Sequence, residues 1–297
     1  MDEKIIVILG PTASGKTKLA AKLASEFNGE IISADSRQVY KGMDIGTGKD
    51  YDDYFVNGHK IPYHLIDIID PTEEYNLYQF KKNFIQVYEE IIQRKKQAFL
   101  VGGSGLYLSS VIQNYELKES EINDNDIFKL NKMNIDELKK ILFDIRANNH
   151  NTTDLLDKDR TIKAILAAKA EKNILNKKFS SVVIGIKLER DEIKTRISQR
   201  LEKRLRSGMI EEVKELMNSG VSLQKLIFFG LEYRFIGLYL RNELSYDEMF
   251  IKLNQAINKF AKRQATWFRK MEKEGITINW VDGGNYELAR SIILDKI

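Results

Sequence analysis

Near the amino terminus, GPTASGKT, Gly10 to Thr17, fits the spacing G-x-x-x-x-G-K-[ST]. In that spacing the N–H groups of a glycine-rich loop cradle phosphate oxygens, helped by the following helix N-terminus. Lys16 adds a point charge, and the Thr17 hydroxyl falls where Mg²⁺ would sit against the phosphates. Gly10 and Gly15 give the loop backbone freedom, and Pro11, Thr12, Ala13 and Ser14 complete it. The pattern names phosphate as the ligand. It does not name the group transferred.

Three other stretches carry candidate chemistry. In ISADSRQVYKGMDIGTGK, Ile32 to Lys49, Asp35 emerges at the end of an apolar run. It could hold magnesium through water, take a proton from a nucleophile, or cap the next helix. In VGGSGLY, Val101 to Tyr107, Ser104 is either a turn residue or a hydroxyl reaching the same crevice. Asp67 and Asp70 are weaker candidates, equally suited to turns.

Basic residues fall in two patterns. Arg196, Arg200 and Arg204 recur at i, i+4, i+8 beside the apolar stripe Ile193, Ile197 and Leu201. Such a row is either a solvated face or a clamp for a diphosphate. NKFAKRQATWFRK, Asn258 to Lys270, interleaves cations such as Arg263 with Phe260, Trp267 and Phe268. That texture suits RNA, with cations on the backbone and rings under bases. It equally suits an amphipathic helix with its rings in the core. Arg160 and Lys163 add a short basic stretch.

These residues need elements to position them. Apolar runs predict strands at Ile5–Leu9, Glu30–Ser33, Tyr63–Ile68 and Gln97–Val101, with helices at Lys16–Phe27 and Asn76–Lys95. Alternation of this kind is the signature of βαβ units on a parallel sheet, with ligands at the carboxyl ends of the strands. Residues 117–180 are rich in Asn, Lys and Asp and read as a small helical insertion. A returning strand is expected at Ser181–Leu188. Helices follow at Asp191–Met217, Glu232–Arg241 and Tyr246–Lys273, and a last strand at Ile276–Val281. The expected fold class is thus α/β, with a parallel-sheet core in residues 1–116 and 181–297 and an insertion between.

Composition narrows the classes. The chain has 297 residues and no cysteine, which excludes disulfides, a thiol nucleophile and cysteine-type zinc sites. No apolar run approaches the ~18–20 residues of a membrane span. The start, MDEK, runs straight into a strand and lacks the pattern of a secretory signal, so a cytoplasmic protein is expected. The formal charge of +4 points only weakly to a polyanionic partner.

GPTASGKT, SADSRQVYKGMDIGTGK, VGGSGLYL and KRQATWFR, in this order, resemble the tRNA dimethylallyltransferases, from about Ile5 to Arg269. The resemblance implies a phosphate-loop α/β core with a helical insertion that contacts tRNA. It implies transfer of a dimethylallyl group from dimethylallyl diphosphate to N6 of the adenosine 3′ of the anticodon. The loop would then grip an isoprenoid diphosphate with Mg²⁺ at Thr17, although related loops bind ATP. Asp35 matches the family's proposed general base. Ser104 matches a position, usually threonine, that touches the target adenosine. Asp35, Ser36, Arg37 and Gln38 match its tRNA-contact segment. Lys16 and Arg200 would steady the leaving group, and Arg160, Lys163, Arg263 and Trp267 would meet the tRNA anticodon stem-loop. The family's arginine run near the insertion's end is reduced here to DRTIKAI, and its GY(K/R) element to GLEYRF, which contains Arg234. A monomer is expected. Rival readings are a small-molecule kinase, a prenyltransferase acting on a free adenine nucleotide, and a nucleotide-switched RNA-binding module.

Overall fold

The structure, a computed structural model, describes residues 4–118, 129–145, 155, 157–169 and 175–297. The chain divides into two compact units, Met1–Gln113 with Phe179–Ile297, and Asn114–Lys178.

The first unit is built from the apolar runs. β1 (Ile5–Leu9) leads into α1 (Lys16–Glu26) and β2 (Gly29–Ala34). A hairpin of β3 (Phe55–Val56) and β4 (His59–Lys60) follows, then β5 (Tyr63–His64), α2 (Leu77–Gln93), β6 (Gln97–Gly102) and α3 (Gly105–Ile112). One sheet runs in the order β5-β2-β6-β1, continued by β7 (Ser181–Lys187) and β8 (Ile278–Asp282). Every pairing in it is parallel.

Alternate residues of each strand feed two cores, which is why the runs are apolar throughout. Val7, Leu9, Ile32 and Leu100 face a layer holding Phe80 and Phe84 of α2 and Leu108 of α3. Ile6, Ile8, Ile31 and Phe99 face α1.

The second unit contains α4 (Ile135–Ile145) and α5 (Lys158–Lys169). Leu138 and Leu142 pack with Ile162, Ile165 and Leu166 in a small core of their own. Of the expected insertion, residues 119–128, 146–154, 156 and 170–174 lie outside the described residues.

The carboxyl-terminal part of the first unit is helical: α6 (Arg190–Arg206), α7 (Met209–Asn218), α8 (Leu223–Phe229), α9 (Leu231–Leu240), α10 (Tyr246–Lys273) and α11 (Tyr286–Lys296). α10 buries Met249, Leu253, Ile257, Ala261, Phe268 and Met271 along one stripe. Its start is fixed by a capping box between Ser245 and Glu248.

Some sequence expectations are corrected here. The strand expected at Tyr63–Ile68 stops at His64, because Leu65 and Asp67 take positive φ of 61° and 56°. The single helix expected at Asp191–Met217 is two, broken where Gly208 takes φ 98°. α8, α11 and the hairpin were not expected.

The register aligns three strand ends: Gly102 of β6 lies opposite Leu9 of β1 on one side and Ala34 of β2 on the other. Gly10, Asp35 and Gly103 therefore leave the sheet side by side, on strands ~4.8 Å apart. Gly102 makes that closeness possible, since a Cβ there would sit 2.2 Å from the Ala34 carbonyl oxygen. We predict that Gly102→Ala loses about 1–3 kcal/mol, the usual scale of overpacking, in denaturant unfolding. Unchanged stability would show that β2 and β6 are not held this close.

Candidate active site

A pocket opens at these strand ends. Thr12, Ala13, Gly15, Lys16 and Thr17 form one wall, and Ser33, Asp35 and Gln38 another. Thr47, Gly48, Asp50, Asp53, Tyr54 and Arg200 close it, over a floor that includes Val101 and Gly102 of β6.

The phosphate loop is shaped by its own backbone. Ala13 and Gly15 take positive φ, 64° and 82°. The Pro11 carbonyl accepts from Ser14 N–H at 3.3 Å and from the Lys16 ammonium at 3.5 Å. Gly10 works through closeness rather than backbone freedom: a Cβ there would meet Ser14 Oγ at 2.6 Å. That Ser14 hydroxyl is buried and has no hydrogen-bond partner among the described residues. The Thr12 N–H is not available to a ligand, because it donates to Gln264 Oε1 at 2.8 Å.

Gln264 is a site residue the sequence reading missed. It is buried in α10, and its Nε2 donates to the Gly103 carbonyl at 2.9 Å. One amide thus ties the loop after β1 to the turn after β6. Gly103 must be glycine for this, since a Cβ would lie 2.3 Å from Gln264 Nε2.

Two cations face the pocket without full hydration. Burial pulls the Lys16 ammonium down to about 8; Asp35 opposes this, while Arg200 and Arg204 add to it. Burial also lowers the Arg200 guanidinium to about 10, with Arg204 adding to the fall and Glu232, Asp50 and Asp35 opposing it. Arg200 donates to the Thr12 hydroxyl. Arg204, one turn on, reaches Asp50 at 3.5 Å. Arg196 instead pairs with Glu192 on its own helix at 2.7 Å. The expected arginine row therefore splits, with two members turned inward and one on the solvated face. Burial pushes the carboxyls of Asp53 and Glu232 up.

Asp35 sits one residue past β2. Its Oδ1 accepts the Arg37 N–H at 2.9 Å, which fixes the carboxylate. Gln38 bridges Ser33 Oγ, at 3.0 Å, and the Gly48 carbonyl, also at 3.0 Å. Ser104 does not line the pocket. Its hydroxyl accepts the Ser36 N–H at 3.0 Å, so it holds the turn that carries Asp35.

A carboxylate from α7 shapes the far wall. Glu212 accepts N–H bonds from Asp44 (2.8 Å), Ile45 (2.6 Å) and Gly46 (3.0 Å), and the Tyr233 hydroxyl at 2.8 Å. Gly46 admits the Tyr233 ring, and Gly48, at φ 70°, admits Arg204; a Cβ at either would collide. Lys49 pins the same loop to Asp44, Asp67 and the Tyr40 carbonyl. Asp67 is thus structural, and Asp70 caps a local turn through Thr72.

The remaining candidates lie elsewhere. Trp267 packs against Gly105, where a Cβ would come within 2.3 Å of the ring, and its Nε1 donates to Ser109 Oγ at 2.9 Å. The partly exposed ring wedges between α10 and α3, with the Lys270 ammonium 5.2 Å from its centre. Arg263 is exposed, with its guanidinium 5.8 Å from the Phe260 ring centre. Arg234 is exposed on α9. Arg160 and Lys163 are exposed on α5 of the second unit.

The parallel sheet, the glycine loop and the desolvated cations define a phosphate-loop α/β protein with a carboxylate beside its anion cradle. The chain belongs to the IPP transferase family, whose model matches residues 38–271. It is 48% identical over 293 residues to tRNA dimethylallyltransferase 1 of Syntrophus aciditrophicus (strain SB), covering 97% of this chain and 96% of that one. It is 47% identical to tRNA dimethylallyltransferase 2 of Bacteroides fragilis, covering 95% and 93%. Among solved structures it resembles the tRNA isopentenylpyrophosphate transferase of Bacillus halodurans, with a TM-score of 0.69 and 31% identity over 99% of this chain and 94% of that one.

Gln264→Leu strands the Thr12 N–H and the Gly103 carbonyl. Unpaired buried groups of this kind cost about 1–3 kcal/mol each. We predict lower stability in denaturant unfolding and weaker binding of inorganic pyrophosphate by calorimetry. A variant as stable and as tight as wild type would remove the cross-tie from the account.

Proposed function

We propose that this enzyme transfers the dimethylallyl group of dimethylallyl diphosphate to N6 of the adenosine 3′ of the anticodon in tRNA, releasing diphosphate. One observation carries this reading. In a member of this family, Lys16 and Arg200, both short of water, share a pocket with the Asp35 carboxylate.

The chemistry asks for both signs of charge. The bond from C1 of the allyl group to the diphosphate oxygen breaks, and a bond from N6 to C1 forms. Negative charge grows on the departing diphosphate, where Lys16, Arg200 and the loop N–H groups after Ala13 would meet it. The adenine amine is a poor nucleophile, because its lone pair is delocalised into the ring. Asp35 would take its proton and pass it to solvent. Ser104 would act through the backbone, by holding Ser36 and so the carboxylate.

Mg²⁺ fits the donor set. The Thr17 hydroxyl and the Asp50 and Asp53 carboxylates line the pocket, and no three such acidic or His side chains converge among the described residues. Magnesium keeps most of its waters and few protein ligands beside phosphate, so Thr17, with a carboxylate through water, would hold it. When bound it would neutralise charge on the diphosphate.

The target adenosine must leave its stack, at a cost of a few kcal/mol. Exposed Arg263, and Arg160 and Lys163 of the second unit, are proposed to offset that by meeting RNA phosphates. We further propose a monomer working in the cytoplasm. No described helix is long and apolar enough to cross a membrane.

Incubation with labelled dimethylallyl diphosphate and total tRNA should yield N6-dimethylallyladenosine on mass spectrometry of the digested nucleosides. We predict that Asp35→Asn lowers turnover by ~10²–10⁴-fold, the usual weight of a general base, while tRNA binding stays close to wild type. Consumption of ATP with no prenylated base, or full turnover by Asp35→Asn, would contradict the reading.

A further inference from the structure

α8 ends in two adjacent phenylalanines with opposite fates. Phe229 is 3% exposed, tilted against the Tyr40 ring at 4.8 Å between centres and packed edge-on near Tyr233. Phe228 is 48% exposed, beside Ile227 at 42%. A lone exposed phenylalanine needs no explanation. This one has company that does. The Arg37 guanidinium lies 5.2 Å from its ring centre, and the Lys225 ammonium 5.4 Å.

The arrangement is anchored. Arg37 donates to the Phe228 carbonyl at 3.1 Å. Lys225 donates to the carbonyls of Glu73, at 2.6 Å, and Thr72, at 3.3 Å. Gly230, at φ 74°, ends the helix just beyond. The Arg37 backbone N–H is the group that holds Asp35 Oδ1. A continuous set of contacts therefore runs from the pocket carboxylate, through Arg37, to an exposed ring with two cations close by, both of which also lie 5.7 Å from the Phe229 ring centre.

An apolar partner surface would not choose a ring attended by two charges. An unpaired nucleotide would: its base offers a π-face to the ring and the guanidinium, and its phosphates are drawn to the cations. Extruding one base also leaves its neighbours without a stacking partner.

We propose that Phe228, flanked by Arg37 and Lys225, is a ledge on which an unpaired base beside the target adenosine stacks. This rests on the reading that the acceptor is RNA. The ledge holds the loop open on the side where Asp35 waits. Its chemistry is tolerant of base identity, since every base has a face to stack.

The test is RNA affinity across a salt series. An anticodon stem-loop RNA is titrated into wild type, Phe228→Leu and Phe228→Trp, with thermal unfolding of each protein run alongside. Stacking of one base is worth about 1–3 kcal/mol, or about 5-fold to 150-fold in affinity. Phe228→Leu should weaken binding within that range, and Phe228→Trp should recover it. The slope of log Kd against log salt should be the same in all three, because no phosphate contact is lost. Equal affinity of Phe228→Leu and wild type overturns the ledge, as does a change confined to the slope. Wild type that fails to bind the RNA overturns the RNA reading itself, which separates the two failures.

Discussion

Two cations drawn out of water, Lys16 at the head of α1 and Arg200 within α6, are the constraint on which the site depends. An ammonium that loses hydration must find an anion or surrender its proton. Burial draws Lys16 down to about 8, with Asp35 and Asp50 opposing the fall. Arg200 is destabilised by the same burial. The carboxylates offset part of this. A diphosphate, with several charges and many acceptor oxygens, satisfies both cations and the loop N–H groups together. The cradle's own electrostatics thus favour that ligand.

Opposite charges this close collapse onto one another in a flexible chain. Here they are kept apart by architecture. Lys16 follows β1 and Asp35 follows β2, with β6 between them. Gln264 of α10 ties the first loop to the β6 turn, and Ser104 ties that turn to the backbone beside Asp35. Glu212 and Lys49 fix the remaining wall through its backbone and side chains. A displacement needs the leaving anion and the proton acceptor on separate supports. The parallel sheet supplies them as neighbouring strand ends.

Much of this was legible in the sequence. The apolar runs gave the sheet because buried strands are apolar on both faces, and α10 was found at its full length because its apolar stripe is regular. Asp35 and the phosphate loop were found because each follows such a run. Gln264 was not, because a glutamine within a helix carries no spacing signal. The same holds for Glu212, three of whose partners are backbone groups 166 to 168 residues away. The hairpin was visible in hindsight: Asn57-Gly58, at φ 51° and 81°, is the turn that two-residue hairpins prefer. For Trp267 the sequence left two readings open, because a ring among cations looks alike whether it meets RNA or packs on a glycine. Only the missing Cβ of Gly105 separates the two cases.

The most direct measurement is the proton inventory of anion binding. Inorganic pyrophosphate is titrated at about pH 8.5 in two buffers of different ionisation enthalpy, into wild type and into Lys16→Arg. An anion raises the pKa of the lysine it meets, and proton uptake follows by linkage. Wild type should therefore take up a clear fraction of a proton more than the arginine variant, which is already charged. Equal uptake by the two proteins would mean that Lys16 is not the desolvated cation on which this cradle depends.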